Sequence, residues 1–226
     1  MNPRPAGRSN LPRLQGAVTL PALALVAIVL AGCISSTGLP GAVAPASRAP
    51  AGTNCPTSQP ATLPAGATRT VTIATPKGTI VVAVTADTAP VAAANFVALA
   101  GCGYYNGVVF SRLVPSFVIQ GGDGQYGRVG ADGKLSAGDA ALVGSGTPGY
   151  TIADDPPSAS YVRGTVAMAR TPAAHSESDQ FFIVLDDSAG PSLASSNQYG
   201  YAIVGKVSSG MDVVDAIAAM PNSGDP

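Results

Sequence analysis

Phe110 to Asp123 reads FSRLVPSFVIQGGD, and the rest of the chain is best read outward from it. Apolar residues surround a single arginine and a single glutamine, with Pro115 between them and Gly121-Gly122-Asp123 at the end. Proline cannot donate to a sheet ladder, so Pro115 marks a turn or bulge between two short strands. Side chains alternate along a strand, which sets Val118 and Gln120 on one face and Phe117 and Ile119 on the other. A fixed cation and a carboxamide thus border an apolar surface.

Composition narrows the classes open to the chain. Charged residues make up 11% of its 226 positions and the net charge is −1, which lacks the basic footprint of a nucleic-acid binder. Its 27 glycines and 20 prolines suit a turn-rich β architecture better than a helical bundle. The one histidine, His175, sits in a Pro/Ala/Ser-rich stretch without a nucleophile elbow, which argues against a serine or cysteine hydrolase. One histidine and scattered cysteines make no metal-ligand cluster. Gly144-Ser145-Gly146 lacks the lysine and helix of a phosphate loop. No metal, cofactor or nucleic acid is expected.

The N-terminus reads as an export signal. Arg4, Arg8 and Arg13 precede an apolar run from Ala17 to Leu30, about 14 residues, short for a membrane span. Leu30-Ala31-Gly32-Cys33 resembles the bacterial lipobox, in which the cysteine is lipidated before cleavage. Residues 1–33 are therefore expected to form a lipoprotein signal with Cys33 as the lipid site, placing the protein on the extracytoplasmic face of a membrane. Residues 34–67, rich in Ala, Pro, Ser and Thr, are expected to be a disordered tether, because they offer too little apolar surface to offset ordering. Residues 68–226 remain for the folded domain. Cys55 and Cys102 either pair, tying the tether's end to the loop after the first helix, or stay as two reduced thiols.

Within that domain, Thr68–Ala74 and Thr79–Val84 flank Pro76-Lys77-Gly78 and read as a hairpin. Thr88 is a candidate cap for a helix with Pro90 in its first turn and a stop at Gly101 or Gly103. A glycine-rich loop runs from Gly124 to about Gly149. Gly164–Ala169, Gln180–Leu185 and Tyr201–Val207 read as further strands, and Met211–Met220 as a closing helix before Pro221.

Taken together, these blocks resemble the cyclophilins, the peptidyl-prolyl cis-trans isomerases. FSRLVPSFVIQGGD matches the signature F-H-R-x-I-P-x-F-x-x-Q-G-G-D, with Ser111 in place of histidine. Asn95–Phe110, Gly164–Val184 and Tyr201–Ile217 resemble further family segments in the same order. The resemblance implies a mainly β fold, an eight-stranded antiparallel barrel with a helix over each open end. The family's barrel-closing strand has no counterpart before Pro226, so a domain truncated at its C-terminus is expected.

The resemblance also assigns roles. Arg112 would be the catalytic donor to the prolyl nitrogen. Phe117, Val118, Phe182 and Leu193 would line the proline pocket, and Gln120 would bind the adjoining peptide backbone. Ala169 and Arg170 would pair with the peptide, Gln180 would border it, and Tyr201 would stand where many members carry histidine. Ser192 precedes Leu193 where many members place tryptophan, which implies weaker cyclosporin binding. The expected partners are proline-containing segments of exported proteins, met by a monomer. A non-catalytic module that holds such segments in the same groove is the alternative, and replacing Arg112 separates the two.

Overall fold

A computed structural model describes residues 54–221; the signal, the lipobox with Cys33 and the first part of the tether lie outside them. Seven strands form one sheet: β1 (Thr68–Thr75), β2 (Gly78–Thr85), β3 (Phe110–Val114), β4 (Val118–Gly121), β5 (Thr165–Met168), β6 (Phe181–Val184) and β7 (Ile203–Ser209). Their order is β1-β2-β7-β5-β6-β4-β3, and every pairing is antiparallel. The helices are α1 (Pro90–Gly101), α2 (Gly190–Ser195) and α3 (Met211–Ala218).

Strand alternation divides the buried side chains into two clusters. Ile80, Val82 and Val84 of β2, Ile119 of β4, Val166 and Met168 of β5, and Phe181 and Ile183 of β6 turn to the inner face. Helices α1 and α3 cover that face with Phe96, Val214 and Ile217. Val118, Ala167, Phe182, Val184 and Ile203 turn the other way and build a smaller apolar patch. Because both faces of β6 are covered, its sequence FFIV is apolar throughout and all four residues are buried. The expected barrel thus takes the form of a curled seven-stranded sheet, with β1 and β3 at its two ends and no ladder between them among the described residues. An apolar cleft of about 760 Å³ opens there, lined by Val71, Ile73, Phe96, Phe110 and Ile217 among others.

Three local expectations change. Helix α1 starts after Ala89 rather than at Thr88, whose hydroxyl instead donates to the Ile203 carbonyl at 2.6 Å. The cap comes from far along the chain: Asp155 Oδ2 accepts from the Val91 and Ala92 N–H groups at 2.7 and 3.2 Å. Helix α2 joins the two expected helices; six residues are too few to show a helical period. Phe117, assigned by alternation to the face opposite Val118, packs against the patch that contains Val118. It belongs to the turn before β4, where Ser116 takes a positive φ of 59°, so period-two alternation does not govern it.

Residues 54–67, expected as the end of a disordered tether, are instead strapped to the domain, because Leu63, Gln59 and Cys55 find partners on it. Leu63 packs on the inner cluster and its N–H donates to the Pro90 carbonyl at 3.2 Å, while Gln59 Oε1 accepts from the Ala153 N–H at 2.8 Å. Cys55 and Cys102 are joined by a disulfide with their Cα atoms 5.2 Å apart, fixing the strap to the end of α1.

Candidate active site

One row of residues crosses the sheet on its outer face. Arg112 of β3 sits opposite Gln120 of β4, Gln120 opposite Phe182 of β6, Phe182 opposite Ala167 of β5, and Ala167 opposite Ile203 of β7. Direct cross-strand neighbours share a face, with Cβ atoms about 5 Å apart. The row therefore runs from a cation through an amide to an apolar floor. None of Arg112, Gln120 and Phe182 lines the large cleft, which opens on the inner face.

The floor is closed by groups from elsewhere in the chain. Leu193 and Ala189 bring α2 and the turn before it against Val118, Phe182 and Val184. The Tyr201 ring meets the Phe182 ring edge-on, with centroids 5.3 Å apart and planes at 86°, a favoured aromatic geometry. Its hydroxyl accepts from Ser196 Oγ at 3.2 Å. At the other end, the Arg112 guanidinium carbon lies 6.0 Å from the centre of the Phe117 ring, at the outer limit of a cation–ring contact.

Tyr161 supports this floor and has no motif to announce it. Its hydroxyl accepts from the Tyr201 N–H at 2.8 Å and donates to the Tyr201 carbonyl at 3.0 Å, clamping that backbone on both sides. Burial raises the Tyr161 pKa, which keeps the proton in place for the clamp. Ala167 and Ile203, also part of the floor, are ordinary strand residues in sequence and gain meaning only through register.

The sequence-assigned residues do not all converge. Arg112, Phe117, Val118, Gln120, Phe182, Leu193 and Tyr201 gather on the outer face, and Ala169 packs beside them. Gln180 sits behind Gln120 and accepts from its amide at 3.2 Å. The Arg170 side chain is only 1% exposed and reaches Asp154 at 2.7 Å, with its guanidinium 4.8 Å from the Tyr199 ring centre. Its charge is engaged there, so its backbone, next to Ala169, is the part left beside the row.

Glu177 lies under this region with no exposed surface. Its Oε1 accepts from the Ala202 N–H at 2.9 Å and stands 3.9 Å from Arg170, while Oε2 has no hydrogen-bond partner among the described residues. Burial pushes its pKa up to about 7, with the Ala202 N–H and Arg170 pulling against that rise. Asp179, equally buried, accepts from the Tyr104 hydroxyl at 2.6 Å and from Ser178 Oγ at 2.9 Å. Its pKa also rises, through burial first.

A curled antiparallel sheet with an arginine, an amide and an apolar floor on its outer face defines a class, and comparison with known proteins gives the family. The profile described as cyclophilin type peptidyl-prolyl cis-trans isomerase/CLD matches residues 70–226. A probable peptidyl-prolyl cis-trans isomerase of Brucella abortus is 39% identical over 164 residues, covering 67% of this chain and 77% of the relative. Peptidyl-prolyl cis-trans isomerase B of Escherichia coli is 36% identical over 152 residues, covering 65% and 82%. A crystal structure of a Cryptosporidium parvum cyclophilin superposes with a TM-score of 0.55 at 26% identity, covering 70% of this chain and 88% of that one. The same protein was also solved in the presence of the dipeptide Ala-Pro, with a TM-score of 0.54. The chain belongs to the cyclophilin-type peptidyl-prolyl cis-trans isomerase family, and it is an isomerase.

Proposed function

We propose that the row from Arg112 to Ile203 carries X-Pro isomerisation, with exported proteins as substrates. The carrying observation is the cross-strand register that sets a guanidinium, an amide and the buried Phe182 side by side on one face. Rotation about a peptide bond faces a barrier of roughly 18–20 kcal/mol because resonance stiffens the C–N bond. No bond need be made or broken to lower it; the twisted amide must be held more tightly than the planar one. In the twisted state the prolyl nitrogen becomes pyramidal and accepts a hydrogen bond. Arg112 supplies the donor, from a planar fork of several N–H groups. Val118, Phe182 and Leu193 take the proline ring, with Phe117 at the rim, while Gln120 and the backbone at Ala169–Arg170 hold the flanking peptide. Tyr201 borders the ring pocket.

The exported setting rests on the sequence. The Arg4/Arg8/Arg13 region, the apolar run and the lipobox ending at Cys33 support a lipid-anchored protein on the extracytoplasmic face; that it acts as a monomer rests on the family resemblance alone. Metabolic labelling with a tagged fatty acid checks the anchor: the label should enter the parent and be lost in Cys33→Ala. Exchange NMR with an Ala-Pro peptide checks the chemistry. The chain should interconvert cis and trans signals. Arg112→Ala should lower that rate by about 10²–10³ while peptide affinity changes far less. An unchanged rate in Arg112→Ala would remove the arginine from the mechanism.

A further inference from the structure

Behind Gln120, the amide hydrogen bonds run in one direction. Gln120 Nε2 donates to Gln180 Oε1 at 3.2 Å, and Gln180 Nε2 donates to the Gly144 carbonyl at 2.8 Å and the Gly146 carbonyl at 3.4 Å. A backbone carbonyl only accepts, so Gln180 must turn its NH2 group to the loop and its oxygen to Gln120. Gln120 must then offer its own NH2 group to Gln180. Flipping either amide would set two acceptors, or two donors, against each other.

The loop that imposes this order is held by a buried carboxylate. Asp123 is 1% exposed; its Oδ2 accepts from the Gly144 N–H at 2.7 Å and the Gly146 N–H at 3.0 Å. Its Oδ1 accepts from the N–H groups of Gln125 at 3.1 Å and Tyr126 at 2.8 Å. The two residues whose carbonyls receive Gln180 are thus the two whose N–H groups Asp123 grips. A Cβ on Gly146 would run into Asp123 Oδ1, so glycine is required for the loop to come this close. Hydrogen bonds to an ionised acceptor are the strong kind, and a carboxylate with four backbone donors is well suited to pin a loop.

We propose that Asp123 and Gln180 are positioning residues that, through the Gly144–Gly146 loop, fix which way the Gln120 amide faces in the peptide groove. The groove then meets one set pattern of acceptor and donor from Gln120, and no binding free energy goes to selecting a rotamer. The inference rests on the reading that Gln120 contacts the peptide.

The test uses the full chain and two near-isosteric variants. Asp123→Asn sets an NH2 group against the loop N–H groups, and Gln180→Glu sets a carboxylate oxygen against the loop carbonyls. Each is measured in the parent and in a Gln120→Ala background. Each should lower kcat/KM by about fivefold in the parent, the worth of one well-made hydrogen bond, with the loss carried by KM. In the Gln120→Ala background neither should cost anything further. The side-chain NH2 resonances of Gln120, assigned by their absence in Gln120→Ala, should shift in both variants. Gly146→Ala pushes the loop off Asp123 and serves if Asp123→Asn does not fold. Equal losses in both backgrounds, or Gln120 resonances unmoved by these variants, would overturn the relay. If the parent catalyses no exchange, the reading of the groove fails instead, and the Gln120 resonances still decide the relay.

Discussion

Arg112 and Glu177 illustrate two uses of charge, one at the surface row and one beneath it. On the proposed reading, the Arg112 guanidinium addresses the prolyl nitrogen through its planar fork. Lysine at position 112 should therefore recover little of the activity lost with alanine, since an ammonium lacks that planar geometry; peptide exchange rates of the two variants check this. Glu177 has the opposite character. Its folded-state pKa, about 7, stands above its ordinary value of 4.5. Below about pH 4.5 the side chain is neutral in both folded and unfolded chains, and the stability associated with its protonated form is fully present. As pH rises from there through about 7 that stability is lost, because only the unfolded chain ionises the group without penalty. The loss is on the order of 3 kcal/mol for a shift of this size. Glu177→Gln should therefore be more stable than the parent at pH 8 and show a flatter profile between pH 5 and 7, read from urea midpoints. A steeper profile in the variant would contradict the burial account.

Helix α1 shows how an element can depend on residues far from it in sequence. Its first turn carries Pro90 but no acidic residue and no side-chain cap of its own, and it relies on Asp155 from the loop before β5. Removing that acceptor with Asp155→Ala should cost about 1 kcal/mol, the usual value of a helix N-cap. For a domain of this size that corresponds to roughly 2–4 °C in Tm, measurable by calorimetry. An unchanged Tm would mean that solvent satisfies the two N–H groups equally well. The strap makes a second prediction. Replacing both Cys55 and Cys102 by serine should lower stability by about 2–4 kcal/mol, seen as a shifted denaturant midpoint. Peptide exchange at the proposed Arg112–Ile203 row should be little affected, since the disulfide joins the strap to the end of α1 and neither cysteine lies in the row.

For the molecule as a whole, what the sequence made legible was local. FSRLVPSFVIQGGD carried two strands, their turn and two candidate site residues within fourteen consecutive residues, so turn chemistry marked the strands and the resemblance to the family signature singled out Arg112 and Gln120. Partners drawn from distant segments were not legible. Asp155 capping α1, Tyr161 clamping Tyr201 and Asp154 engaging Arg170 depend on loops that only the folded sheet brings together. Phe117 was misplaced for a smaller reason: one residue with positive φ ahead of it resets the alternation. The disulfide stood open between two readings because nothing in composition fixes the distance between two cysteines 47 residues apart. That bond also closes a covalent ring from Cys55 to Cys102 that contains β1, β2 and α1. A protease cutting the exposed Pro76–Lys77 turn would open the ring without releasing a fragment. The nicked protein should migrate as one chain on a non-reducing gel and as two after reduction, so the molecule carries its own means of surviving a cut at its first hairpin.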